Sequence, residues 1–391
     1  MLTHVRSSLV ALALLPAALV AQRTLYVGGP LGTFLDIQQA VNASLPGDTI
    51  VVSPPPVHQV YSLMSVPHSL TIRGTVMSLV PVQPIALTLG ANVQLHLQDL
   101  YFFGPSPFGT GSTITGGLVT MEDVAFTRGS LSPPLPLLTI ASSHAVLRGT
   151  SALGLVLAQN SDLVAVGCTF QGYDSSSGST PSPGLAAVSS RVHLASTSVS
   201  CGGSTAGAAA TWAPLGVAMS ALSANASVVS LVDVTVTSAP FPEPTAVVDA
   251  SSTLTFDRTV FTPGAGTGNG VVGVALPATL LGATMPELRL QLGGTMTPTF
   301  LAAPGSPVFV VATLQLVAPA PAPFVQPEHW GFVGPGVMLL GLQSTDPTGR
   351  APVPIAIPNN SVFANQGVWL MGVLVTTQPF ALSVPVGGIL E

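Results

Sequence analysis

The residues best suited to chemistry are acids that recur at one position of a repeated phrase. The copies read Asp99-Leu100-Tyr101-Phe102, Asp123-Val124-Ala125-Phe126, Gly167-Cys168-Thr169-Phe170, Ser196-Thr197-Ser198-Val199, Asp233-Val234-Thr235-Val236 and Asp257-Arg258-Thr259-Val260. If successive copies stack, Asp99 lies beside Asp123 and Asp233 beside Asp257, at about the 4.7–4.9 Å spacing of neighbouring strands. Carboxylates that close repel, so each pair calls for a cation, a hydrogen-bond donor or a shared proton. Glu122 adds a third acid at the first pair, and Arg258 adds a cation at the second. Two readings stand. The acids form a calcium or sugar site on the flank of the stack, or they close chain corners, as Asp commonly does in turns. The corner reading is the ordinary one, and no cofactor is expected unless these acids hold calcium.

Other reactive side chains are dispersed. His58, His68, His96, His144 and His193 occur one at a time, without metal-ligand spacing. His96 and His193 fall at alternating strand positions that can face solvent. Cys168 and Cys201 are a candidate disulfide, because export permits one. Cys168 nevertheless aligns with Thr197, four residues before Cys201, and a bridge needs Cα atoms within about 7 Å. A buried thiol is the competing reading. Trp212, Trp330 and Trp369 are large enough to stack on a sugar; Trp212 lies in an insert and Trp330 in a loop, whereas Trp369 sits in a strand, where core packing is usual. No Gly-x-Ser-x-Gly elbow or phosphate loop is present. The candidate ligand-binding residues are therefore Asp99, Glu122, Asp123 and Trp212, with no catalytic set.

What positions these groups is a repeat. The phrases begin at steps of 24, 44, 29, 37 and 24 residues, the range of a solenoid. The long step is close to two turns of about 22 residues, and Ala145-Val146-Leu147 stands where the missing turn belongs. Each copy alternates apolar and polar residues between Gly, Ser or Pro, the pattern of a strand. A lone strand cannot bury its apolar face, whereas stacked copies bury a continuous core. Phe126, Phe170, Val199 and Val236 hold one place in successive turns and are expected to form one inward column.

Composition narrows the functions. The chain has 391 residues, 47% hydrophobic and only 6% charged, with no lysine and a formal charge of −6. An average domain carries about 25% charged residues. The absence of lysine excludes lysine chemistry, and the negative balance argues against nucleic acid or an anionic membrane as partner. Residues 1–21 read as a secretory signal peptide, with His4 and Arg6 before the apolar run Leu9 to Val20 and a small residue at Ala21. Beyond it no apolar run reaches the length of a membrane-spanning helix.

Thr33-Phe34-Leu35-Asp36 has the spacing of a capping box, and Leu35, Ile37, Ala40 and Val41 give a short helix one apolar face, suited to covering the open end of a solenoid. Pro46-Gly47-Asp48 then turns into the buried strand Thr49 to Val52. The run Phe34-Leu35-Asp36-Ile37-Gln38-Gln39-Ala40-Val41, followed by Pro46-Gly47-Asp48-Thr49-Ile50-Val51-Val52 and Ser69-Leu70-Thr71-Ile72-Arg73-Gly74, resembles the opening of right-handed parallel β-helix proteins of the pectin-lyase-like superfamily. The resemblance extends from about residue 24 to 262. It implies an all-β fold, a right-handed parallel β-helix with a short N-terminal capping helix. It also implies a distorted first coil, because Pro54-Pro55-Pro56-Val57-His58 replaces the family's turn. The family's enzymes use calcium-binding acids with an Arg or Lys base, or clustered Asp with His and an Arg-x-Lys element. With no Lys and no Asp-Asp pair, this chain departs from the second pattern and permits the first only in part.

Past Phe261, Thr262 to Gly270 has linker composition, followed by alternating runs separated by Gly and Pro that indicate a small antiparallel β-sandwich. Val353-Pro354-Ile355-Ala356-Ile357-Pro358-Asn359-Asn360 resembles a C-terminal β domain of secreted proteins from planctomycete-type bacteria. The expected organisation is a signal peptide (1–21), a β-helix (22–262), a linker (263–275) and a β-sandwich (276–391). The expected function is that of a non-catalytic secreted or cell-surface protein binding glycan or another cell-envelope component. The alternatives are a polysaccharide lyase or glycoside hydrolase, and a structural envelope component.

Overall fold

The computed structural model describes residues 23–55, 60–75, 80–104, 111–128, 136–173, 182–202, 220–238, 244–263, 270–278, 280–287, 290–314, 316–320, 331–333, 337–364, 366–374, 381–383 and 385–390. The N-terminal part is a parallel β-helix of three long sheets with eleven, eight and eight strands. Each coil contributes one strand to each sheet in turn: Gln94–Gln98 in the first, Leu100–Gly104 in the second, Ser112–Thr115 in the third, then Leu118–Glu122 back in the first. All pairings between coils are parallel and in register, for example Leu95 opposite Val119 and Leu97 opposite Met121. The missing turn is present: His144–Arg148 joins the first sheet and Ser151–Leu153 the second. The expected inward column runs Phe102, Phe126, Ala152, Phe170, Val199, Val236 and Phe261, one residue per coil.

At the N-terminal end the helix Ile37–Ala43 lays Ile37, Ala40 and Val41 on the core formed by Val27, Ile50 and Val52. Asp36, not Thr33, is the N-cap; its carboxylate accepts from the Ile37 and Ser62 amides, both at 2.8 Å, and from the Ser62 hydroxyl. Leu35 points away from the core and is 85% exposed, because the helix starts two residues later than the apolar spacing implies. The first coil is irregular; among the described residues it meets the second sheet through a Tyr61–Val82 bridge. At the other end the solenoid runs past residue 262. Val271–Val272 pairs with Ala246–Val248, and Ala275–Pro277 pairs with Thr253–Asp257. Part of the segment expected as linker is thus a last coil.

The C-terminal part is antiparallel. Pro307–Thr313, Met338–Ser344 and Gly367–Leu374 form the centre of a five-stranded sheet. It faces a three-stranded sheet of Gly282–Thr284, Thr299–Leu301 and Arg350–Pro352. The two layers meet at Gly372, where a Cβ would fall 2.7 Å from the Phe300 ring. Leu290 makes a single bridge to Leu390.

Candidate functional site

The repeated acids sit where each coil turns from the first sheet into the second. Asp99, Asp123, Gly149, Gly167, Ser196, Asp233 and Arg258 all have positive φ, between 46° and 61°. Only glycine reaches this region freely, with Asp, Asn and Ser the next most tolerant. The corner amides bond to the following coil, as from Asp99 to the Glu122 carbonyl (3.1 Å) and from Asp123 to the Arg148 carbonyl (3.0 Å). Asp99 and Asp123 are neighbours, as expected. The last phrase, however, is shifted by one residue: Val232 opposes Asp257, so Arg258 and not Asp257 occupies the corner beside Asp233.

Corners between the third and first sheets use a second device. Ser143, Ser161, Ser190 and Ser227 form a buried file in which each hydroxyl donates to the carbonyl two residues back, at 2.7–2.8 Å. Each oxygen from Ser161 onward also accepts the amide of the preceding serine, at 3.0–3.2 Å, and Ser252 extends the file at 2.9 Å. Cys168 lies in the analogous file at the other corner, between Thr150 and Thr197; its amide donates to Thr197 Oγ1 at 3.3 Å and its thiol to the Val166 carbonyl. Burial pushes that thiol up to about 12. Cys201 is a separate buried thiol whose sulfur donates to the Ser182 carbonyl, and the candidate bridge is not formed.

The outer face of the first sheet is not open to solvent. Leu118, Val146, Val164, Val166 and Ala195 point out of the solenoid into a core shared with Leu281, Ala283, Phe300, Leu370 and Val386 of the C-terminal part. Gly282 packs on Val232, and Gln94 Nε2 donates to the Leu316 carbonyl at 3.1 Å. His96 and His193, expected to face water, are 6% and 3% exposed beneath this layer.

Several charged groups of this face are held in separate ion contacts. Glu122 meets Arg148 at 3.4 Å, both buried, directly under Gly388, whose Cβ would come within 2.8 Å of Glu122 Oε1. Glu122 is thereby packed beneath the C-terminal part. At the opposite end of the same strands, His144 Nδ1 meets Asp162 at 2.7 Å, and Arg191 grips the same carboxylate at 2.6 and 2.8 Å. Burial would raise the Asp162 pKa, but bonds from His144 and Arg191 outweigh it and leave the group below its usual value. Four residues of strand put the two clusters about 13 Å apart. Asp257 pairs with Arg258 at 3.0 Å, four coils from Arg148 and so roughly 19 Å away. Among the described residues, no three His, Cys, Asp or Glu side chains converge on a possible metal position.

A cleft of about 370 Å³ lies between the first sheet and the C-terminal part. Its sheet wall carries Thr71, Gln94, His96 and Thr120; the other wall carries Leu316, Gln366 and Trp369. Among the described residues that line it, none bears a carboxylate, ammonium or guanidinium. His96 Nδ1 contacts Thr120 Oγ1 at 2.5 Å, and its buried Nε2 has no partner. Burial, followed by the Arg148 and Arg73 cations, pushes the His96 pKa down to about 3, so the ring is neutral at physiological pH.

No family model matches the sequence, and no curated protein matches it. Among solved structures, the chain is similar to tailspike protein 2 of the Escherichia coli O157:H7 bacteriophage CAB120, at 9% identity and a TM-score of 0.30, over 93% of this chain and 68% of that one. The fold assignment rests on the strand register itself.

Of the sequence-derived site residues, Asp99 and Asp123 come together at a corner, while Glu122 packs beneath the C-terminal part. Trp212 and Trp330 lie outside the described residues, as do His58 and residues 1–21, where a signal peptide is expected. Trp369 is 5% exposed and borders the cleft with a mainly packed ring. Asp162, Arg191 and Arg148 escaped sequence reasoning because their partners lie 18, 29 and 26 residues away. The coil spacing is the signal that would have found them.

Proposed function

We propose that the protein acts outside the cell or at its surface as a non-catalytic binding protein for glycan or another envelope component, received in the cleft beside the first sheet. The observation that carries this reading is the cleft itself, which is concave, uncharged and built on rigid strands. Its size falls within the range of small-molecule sites, about 300–1,000 Å³. A lyase or hydrolase needs titratable groups converging on a substrate, and the acids of this face are instead divided among separate ion pairs. Export rests on the signal-peptide pattern of residues 1–21. Among the described residues, no helix is long and apolar enough to cross a membrane.

The test is exposure of the purified protein to uronate and neutral glycans, reading both retention and product release. Saturable retention without new reducing ends or unsaturated products supports the proposal. Catalytic release of either product overturns it.

A further inference from the structure

The proposal above leaves the chemistry of the ligand open, and the cleft wall narrows it. We infer that the cleft takes an uncharged, hydroxyl-rich ligand of sugar-ring size, one of whose hydroxyls meets His96 Nε2. This inference rests on the binding reading of the same cleft.

The lining alternates amide and hydroxyl groups from Gln94, Thr71, Thr120 and Gln366 with apolar surface from Leu316 and Trp369. That mixture suits a sugar, which presents hydroxyls at its edges and C–H groups on its faces. The volume of about 370 Å³ holds about one or two such rings at the packing of an ordinary small-molecule site. A carboxylated sugar would have to bring its charge to a wall without an opposing ion, and burying an unpaired charge is costly. Arg73 and Arg148 are near enough to act on His96, yet neither lines the cleft. Arg148 is already engaged by Glu122.

His96 supplies the second observation. It is the sole cleft residue with a buried polar side-chain atom lacking a partner among the described residues. A buried donor or acceptor left unmet costs stability. The ring is tied through Nδ1 to Thr120, and whichever way that proton lies, Nε2 is left as either a donor or an acceptor. A hydroxyl satisfies both cases, because it donates and accepts, whereas a carboxylate satisfies only one.

The experiment uses the full secreted chain, free and with neutral probes (galactose, glucose, N-acetylglucosamine, lactose, cellobiose) or charged ones (galacturonate, glucuronate). Saturation-transfer NMR and calorimetry read binding, and thermal unfolding reads stability. Two variants are compared: His96→Phe, which keeps a planar ring but removes both nitrogens, and Thr71→Phe, which fills the adjacent wall. At least one neutral probe is expected to bind the parent chain, to weaken about tenfold or more in each variant, equivalent to ~1.4 kcal/mol, and to raise the parent Tm. His96→Phe is expected to unfold at or above the parent temperature without ligand while losing the ligand-dependent rise. If only the uronates bind, the ligand class is wrong while the binding reading survives. If a neutral probe binds and neither folded variant weakens it, the location is wrong. If no saccharide of either class binds, both readings fall.

Discussion

Phe126 tests the register on which every other statement rests. It is 1% exposed and stacks on Phe102 of the preceding coil, with ring centroids 4.9 Å apart and planes within 10°. The following coil places Ala152 over it, a side chain too small to swing into a vacated site. Truncation to Ala therefore removes the transfer free energy of a fully buried ring, about 1.5–3 kcal/mol. It also removes a ring pair worth about 0.5–1.5 kcal/mol and leaves a cavity that cannot collapse. The expected total is about 3–5 kcal/mol, as for other buried Phe truncations. Because each coil is stabilised by its neighbours, the loss should appear in unfolding of the whole solenoid, read by urea titration followed by circular dichroism. Phe170→Ala, in the same column and fully buried, should behave alike. Thr169→Ala, its exposed neighbour on the same strand, should stay within about 0.5 kcal/mol. A loss below about 1 kcal/mol for both Phe variants, the level of ordinary surface changes, would refute the column.

The Glu122–Arg148 ion pair beneath Gly388 gives a second test. Arg148→Met should destabilise the chain by removing a cationic partner from buried Glu122, whereas Arg148→Met with Glu122→Leu should recover most of the loss, measured by the same titration. Asp162 has its pKa lowered by His144 and Arg191 against the opposing effect of burial. Its contribution is thus present above the unfolded carboxylate value near 4 and is lost as pH falls through the lower folded value. Asp162→Asn should reduce stability at neutral pH and flatten acid unfolding below the unfolded carboxylate value near pH 4, and an unchanged acid profile would count against the ion cluster. At the corner, Asp123→Asn should be nearly neutral because Asn tolerates the left-handed region. Asp123→Val should cost about 1–2 kcal/mol, and calcium should leave the parent Tm unchanged; a calcium-dependent rise lost in Asp123→Asn would restore the cation reading. In the serine file, Ser190→Ala should cost about 1–3 kcal/mol by orphaning the buried Ser161 amide, as judged by chemical unfolding.

Local pattern by itself determined the solenoid. Alternation at period two marks a strand wherever one face is buried, and the repeated phrases with Phe126, Phe170, Val199 and Val236 in one place specify how the coils stack, since a slip of one residue would turn every side chain outward. The same logic failed at the last phrase, where Asp257 and Arg258 offered two polar registers and only the inward seating of Phe261 against Val236 selected one. Tertiary structure alone decided the fate of the outer face. Strands such as Asp162–Val166 are buried along their whole length, a sign that something lies on both sides, but which part of the chain supplies the cover is not written in any local run. Docking of the C-terminal part brought Gly388 onto Glu122 and Trp369 near His96 across more than 260 residues of sequence. That packing buried two histidines and supplied one wall of the cleft. Contacts that distant depend on the summed shape and apolar area of two folded surfaces, a property no spacing of residues expresses.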